Sequence, residues 1–255
     1  MILQPVGLLT SGTAAGYAFR DLTDIQGLFV ADNSEGFTLY QTDTCTTAVA
    51  SDMDPIGSCC HATMPNLTQG TAGLKPAWRD AANGINGHPT ASCDSDWMST
   101  ASVISETSTG AFTLFAVFTL TSVAANRGIC CAGNLSGNYR AMTAEFVTGY
   151  LSYRASASAI LSATYAVGDG SPHAAVIYGT YASGSNYDVH IWADGSQRAN
   201  STVTHGAFTS YPFYAGNGGG YLMVGEIAVC GYCHTELSGD ELTGLQSALM
   251  TMAGL

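Results

Sequence analysis

The sequence predicts an all-β fold of two packed antiparallel sheets, closed by one short C-terminal α-helix. Three patterns lead to that reading. Residues 112–120 read Phe-Thr-Leu-Phe-Ala-Val-Phe-Thr-Leu, apolar on both alternating faces, as in a central strand covered on two sides. Further on, Tyr187, Val189, Ile191 and Ala193 alternate with Asp188, His190, Trp192 and Asp194, and the run ends in Asp194-Gly195, a pair suited to a two-residue hairpin turn. Near the end the period changes: Leu242, Leu245, Leu249 and Met252 recur at helical spacing.

Taken in order, residues 1–20 are rich in Gly, Ala and Thr and read as an extended arm or linker. The remaining 21–255 read as one domain. Short strands are expected at 27–32, 39–43 and 46–49, followed by a loop-rich connection over 61–82. Ala82–Met98 is turn-rich: two Asn-Gly steps (Asn83-Gly84 and Asn86-Gly87) and Pro89 precede a short strand that enters an Asp94-Ser95-Asp96-Trp97 corner. Strands follow at 112–120, 173–181, 187–193, 199–204 and 221–230, with Gly225 marking a bulge in the last. Gly216-Asn217-Gly218-Gly219-Gly220 precedes a strand and reads as a flexible loop, since a phosphate cradle requires a helix N-terminus. Ser238 and Glu241 form a capping box for the closing helix, and Gly254 supplies its left-handed stop.

Composition excludes several function classes. Only 10% of the 255 residues are charged, the net charge is −12, and the basic residues are Lys75 and six arginines. Phosphate binding needs clustered Lys and Arg, so a nucleic-acid partner is not expected. The longest apolar run, around Phe112–Leu120, falls well short of the ~20 residues of a membrane span. Met1-Ile-Leu-Gln-Pro-Val lacks a basic n-region, so no signal peptide is read there. The eight cysteines leave three readings open: free buried thiols, disulfides, or a metal site combining Cys230-Gly-Tyr-Cys233-His234 with Cys59-Cys60-His61.

The order of motifs over 21–255 is informative as a whole. Asp54-Pro55-Ile56-Gly57, His61-Ala62-Thr63 and Lys75-Pro76-Ala77-Trp78-Arg79 precede the Ala82–Met98 segment, and Thr235–Glu241 leads into the amphipathic helix. This succession resembles the concanavalin A-like (laminin-G-like) jelly-roll domains of tailed-phage virion proteins, with Cys93-Asp94-Ser95 standing where relatives show Phe-Asp-Gly. The resemblance implies a two-sheet jelly roll and a non-enzymatic virion structural protein. Such a protein would be a capsid decoration, head-fibre or tail-associated protein, assembled in the host cytoplasm and exposed on the particle. It also implies partners among other virion proteins and a homo-oligomer such as a trimer.

The alternative function is a carbohydrate-binding adhesin for a host surface glycan, with Trp97, His190 and Trp192 as candidate contacts; His190 and Trp192 share a strand face with Asp188. Glycan hydrolysis is the third reading. Hydrolases of this fold place Glu-x-Asp-x-Glu on one strand, and retaining chemistry needs paired carboxylates. The motif is missing, Glu145 and Glu226 stand singly, and no catalytic residue is assigned. Asp94 and Asp96 either close the corner through hydrogen bonds to backbone N–H groups or form a site for Ca2+.

Overall fold

In the computed structural model, which describes residues 19–33, 36–101, 104–106 and 109–255, the chain builds two large antiparallel sheets and one α-helix. The 1–20 arm lies almost wholly outside the described residues; only Phe19 and Arg20 are included. Up to residue 106 the strands are β1 (Ile25–Val30), β2 (Phe37–Tyr40), β3 (Ser58–His61), β4 (Leu67–Thr68), β5 (Ala77–Arg79), β6 (Thr90–Asp94), β7 (Met98–Thr100) and β8 (Ile104–Glu106). Next come β9 (Phe112–Leu120), β10 (Arg127–Gly133), β11 (Tyr139–Ala144), β12 (Tyr150–Arg154), β13 (Ile160–Ala166), β14 (His173–Ser183), β15 (Asn186–Ala193) and β16 (Ser196–Thr204). The last are β17 (Phe208–Tyr211), β18 (Phe213–Ala215), β19 (Asn217–Gly218), β20 (Tyr221–Leu222) and β21 (Val224–Cys233), followed by α1 (Gly239–Ala253).

Sheet A has the order β16-β15-β14-β9-β21-β6-β5, and β1 pairs with β21 on the edge that β6 also uses. Sheet B has the order β13-β12-β11-β10-β18-β7-β4-β3-β2, and the pairs β8–β17 and β19–β20 form two short ribbons. The chain passes from one sheet to the other after β1, β4, β6, β7, β9, β13, β16 and β18, the wiring of a jelly-roll β-sandwich.

Strand β9 is buried at all of its positions because both of its faces are covered. Phe112, on the inner face, stacks on Tyr153 of sheet B at 5.2 Å. Alternate residues face outward: Phe115 lies 5.8 Å from the Phe19 ring, and Thr113 Oγ1 donates to the Thr235 carbonyl and accepts from the Leu237 amide. Helix α1 packs over β9 and β14 on this outer face and buries Leu245, Ala248, Leu249 and Met252. Its stop is as expected, with Gly254 left-handed at φ 79°, but the capping box does not form. Ser238 makes no side-chain cap, and Glu241 instead accepts the Thr23 amide at 2.6 Å, tying the helix start to the entry of β1.

Several local readings are corrected. The bulge in β21 falls between Ile227 and Val229, where the free Ala228 carbonyl accepts from the Ala31 amide. Gly225 is required for another reason: at φ 155° a Cβ there would meet the Thr119 carbonyl oxygen at 2.0 Å. Of the two Asn-Gly steps, only Asn86-Gly87 makes a left-handed turn (φ 47° and 77°), closing the Ile85–His88 bridge. Residues 46–49 contribute one bridge, Tyr40–Ala48, rather than a strand, and 61–82 contains β4 and β5. The 216–220 glycine run is no loose loop. It builds the β19–β20 ribbon, which lies flat on the outer face of sheet B.

Two of the cysteines, Cys45 and Cys60, form a disulfide, and the other six are buried free thiols. The mixed Cys/His metal set does not assemble. Cys60 is bridged, and Cys230 and Cys233, three apart on a strand, point to opposite faces. Burial pushes the Cys59 thiol up to about 12, so it stays protonated and packs as a small apolar group.

Where β13, β14 and β15 meet, His173 is held between two carboxylates. Its Nδ1 lies 2.6 Å from Asp194 and its Nε2 3.0 Å from Asp169, while Tyr165 donates to Asp194 at 2.7 Å. Burial disfavours the imidazolium, but the two carboxylates outweigh it and the His173 pKa lies above its ordinary value of 6.5. Burial likewise disfavours the Asp194 and Asp169 charges. Hydrogen bonds from His173 and from backbone amides outweigh it, so both carboxyls sit below 3.8.

The signs give a window. The histidine contribution is complete below about pH 6.5 and is lost as pH rises through its raised pKa. The aspartate contributions are present above about pH 3.8 and are lost as pH falls through their lowered values. The urea midpoint of the wild type should therefore be highest between those limits, and His173→Gln should flatten that maximum. An unchanged pH profile in the variant would remove the clasp from the stability account.

Candidate functional site

Strand alternation and register place a polar ledge on the outer face of sheet A, near its β16 edge. Tyr178, His190 and Asn200 sit opposite one another on β14, β15 and β16, and Thr180, Asp188 and Thr202 form the next row. Asp188, Val189, His190, Asn200, Ser201 and Thr202 line an open groove of about 320 Å³. The Asp188 carboxylate accepts from Thr202 Oγ1 at 2.8 Å, which fixes its orientation. The His190 ring stacks on Tyr178 at 4.9 Å with 9° between the planes, and its Nδ1 is buried without a partner among the described residues. Burial, and then the nearby Glu236 carboxylate, raises the Tyr178 pKa, so the phenol stays a neutral hydrogen-bonding group.

This arrangement can bind but does not form a hydrolytic pair. The ledge offers an oriented carboxylate, an amide, hydroxyls and a stacked aromatic pair. Hydroxyl-rich ligands present both hydrogen-bonding rims and apolar C–H faces, and such a mixed surface matches them. Glu145, just past the end of β11 in sheet B, and Glu226, on β21 in sheet A, are apart and engaged by the Ser162 and Thr90 hydroxyls respectively.

The other sequence-predicted residues fall as follows. Trp192 shares the His190 face, as the period of two required, but it is 9% exposed and belongs to the core. Trp97 is remote from both: it sits at the corner between β6 and β7 and packs on Tyr214 of sheet B at 5.7 Å. Asp94 and Asp96 meet through the corner backbone, the Asp94 amide donating to Asp96 Oδ2 at 3.2 Å. Among the described residues no group of three or more His, Cys, Asp or Glu converges on a metal position. The strand pattern of the sequence does not single out Tyr178, Asn200 or Thr202. Their signal is the pairing register across the Asp194-Gly195 turn, which a one-residue shift near Arg198 displaces.

Comparison with known proteins adds an independent view. No family model matches the chain, and no curated protein sequence matches it. Solved structures do. Domain 4 of AbnA, a GH43 extracellular arabinanase from Geobacillus stearothermophilus solved with arabinotriose, aligns at TM-score 0.51 and 11% identity, covering 88% of this chain and 98% of that one. A mutant GH54 α-L-arabinofuranosidase soaked with a nitrophenyl arabinofuranoside aligns at TM-score 0.53 and 12% identity, over 78% of this chain and 51% of the other. The likeness is one of fold. The chain is a jelly-roll β-sandwich. The CBM40 domain of a Ruminococcus gnavus sialidase, bound to α2,6-sialyllactose, also matches, at TM-score 0.40 and 15% identity over 59% of this chain and 96% of that one.

Proposed function

We propose that this chain is a non-catalytic carbohydrate-binding domain that takes glycan in the Asp188–His190–Asn200 groove. The observation that carries the reading is the groove itself, where an oriented carboxylate, an amide and a stacked aromatic pair share one open face of the sheet. The fold likeness to sugar-processing and sugar-binding domains supports the same class. Glycan-array screening of the purified chain should find saturable binding. Asp188→Ala and His190→Ala should each weaken it at least about tenfold, or about 1.4 kcal/mol, with little change in melting temperature. Trp192→Ala should instead lower stability. Array-wide absence of binding, or unchanged affinity in both groove variants, would sink the proposal.

The setting we propose is the surface of a tailed-phage particle, in a homo-oligomer docked on other virion proteins. The support is the motif order shared with phage jelly-roll domains, together with the low content of charge. Mass spectrometry of purified virions should recover the chain. Its absence from particles would separate the glycan reading from the virion reading and overturn only the second.

A further inference from the structure

We infer that Arg154 is the base of a second binding site, on the outer face of sheet B, for an oxyanion: the carboxylate of an acidic sugar or a free sulfate or phosphate. Every other described Lys or Arg residue has a carboxylate or backbone carbonyl partner. Arg20, Arg79 and Arg140 each meet a carboxylate (Asp21, Asp52 and Glu106). Arg127 and Arg198 each donate to two backbone carbonyls, and Lys75 donates to one. Arg154 differs from all of them. Its Nε donates to Thr143 Oγ1 at 3.3 Å, and its guanidinium lies over the Tyr221 ring at 5.0 Å. Among the described residues no carboxylate pairs with it, although the residue is only 5% exposed.

A guanidinium withdrawn this far from water ordinarily has an anion beside it, since burying a charge unpaired is strongly unfavourable. Its two terminal nitrogens make no hydrogen bond among the described residues, yet neither is among the buried unpartnered atoms. They therefore keep contact with solvent, although the residue as a whole is only 5% exposed. Register defines the walls: Ala141 and Ile160 flank Arg154 on β11 and β13, and Ile160 is 38% exposed. Tyr221, on the glycine ribbon, forms another wall. Thr143 Oγ1, itself 2.7 Å from Ser152 Oγ, holds the fork in place from its Nε side. The paired terminal N–H groups of a fixed guanidinium fit the two oxygens of a carboxylate or sulfate. This site lies on the opposite sheet from the groove and does not depend on glycan binding there.

The test is titration of the 15N-labelled full chain, reading the arginine Nε–Hε resonances, with sodium glucuronate, N-acetylneuraminate, inorganic sulfate, inorganic phosphate and glucose as probes. A saturable shift of the Arg154 resonance with the sugar acids or the inorganic ions, and none with glucose, is expected. Response to the sugar acids identifies a sugar carboxylate as the source, and response to sulfate or phosphate alone identifies a free ion. Arg154→Lys, which keeps the charge but loses the fork, should weaken binding at least tenfold, read from the backbone amide shifts of the neighbouring Ala141 and Thr143. Thr143→Val, which keeps Arg154 but frees its Nε, should weaken it less, and His190→Ala should leave it intact. No shift with any anion, or equal shifts with glucose, overturns the site.

Discussion

Replacing Arg140 with methionine is expected to destabilise the protein by about 3–5 kcal/mol at neutral pH, the range seen when one partner of a buried ion pair is removed. Arg140 is among the largest fully buried side chains, on the inner face of β11. Its Nη2 lies 3.5 Å from Glu106 Oε1, with both side chains at 0% exposure. Tyr232 donates to the other Glu106 oxygen, and His234 Nε2 lies 3.0 Å from Oε1. The guanidinium also sits over the Phe112 and Tyr187 rings and donates to His205 Nδ1. Burial and the Arg140 charge hold the His205 pKa down to about 3, so that histidine is neutral and supplies no replacement charge.

The pH dependence of the loss follows from Glu106. Burial raises its pKa above 4.5, against the opposing pull of Arg140 and its hydrogen-bond donors. Without Arg140 the pKa rises further. A raised folded pKa favours the folded state below the unfolded value and withdraws that support as pH rises through the folded value. The Arg140→Met defect should therefore shrink toward pH 4.5 and be complete at neutral pH. The double variant Arg140→Met, Glu106→Gln should recover much of the loss at pH 7, because it leaves no buried charge. Denaturant midpoints of the single and double variants at pH 4.5 and 7 would decide the matter. A defect of equal size at both pH values would show that packing, not charge, dominates.

The second large effect is expected from a single methyl group. Gly128→Ala places a Cβ 1.9 Å from the Gly218 amide nitrogen and 2.2 Å from the Tyr221 carbonyl oxygen, both backbone atoms that no rotamer change can move. The β19–β20 ribbon must lift from the sheet, at about 1–3 kcal/mol by the usual cost of overpacking. That ribbon covers a small separate cluster of Cys131, Tyr139 and Ala141, and a Cβ at Gly219 would meet the Tyr139 ring at 2.6 Å. Native-state labelling with a thiol reagent should detect the change: Cys131 is fully buried in the wild type and should become reactive in Gly128→Ala. A Cys131 that stays unreactive would show that the ribbon accommodates the methyl in place.

What could be read in advance follows from how local each signal is. The β9 run, the β14–β16 strands and the closing helix were legible because alternation and helical spacing are short-range patterns. The β10–β13 block was not. Arg140 on β11 and Arg154 on β12 occupy buried positions that their residue type assigns to solvent, and the Arg140 counter-charge, Glu106, comes from a distant short strand. In the groove, the period of two placed His190 and Trp192 on one face. Whether each is reachable depends on tertiary neighbours that the strand pattern does not contain. Counting outward from the Asp194-Gly195 turn would set Ala199 opposite His190, and the register shift near Arg198 replaces it with Asn200. A bulge of this kind leaves no compositional mark, so the groove's third member was hidden.

The shared edge of β21 carries a consequence for how the molecule is made. Among the described residues strand β1 pairs only with residues 229–233, so the first strand of the sandwich waits for the last. A ribosome releasing this chain would expose β1 unpaired until residues 229–233 had emerged, and only then could sheet A close around β21. Assembly is then governed by long-range closure, the regime of slow folding, and a chain halted before β21 would keep that strand as a free, apolar, pairing-competent edge.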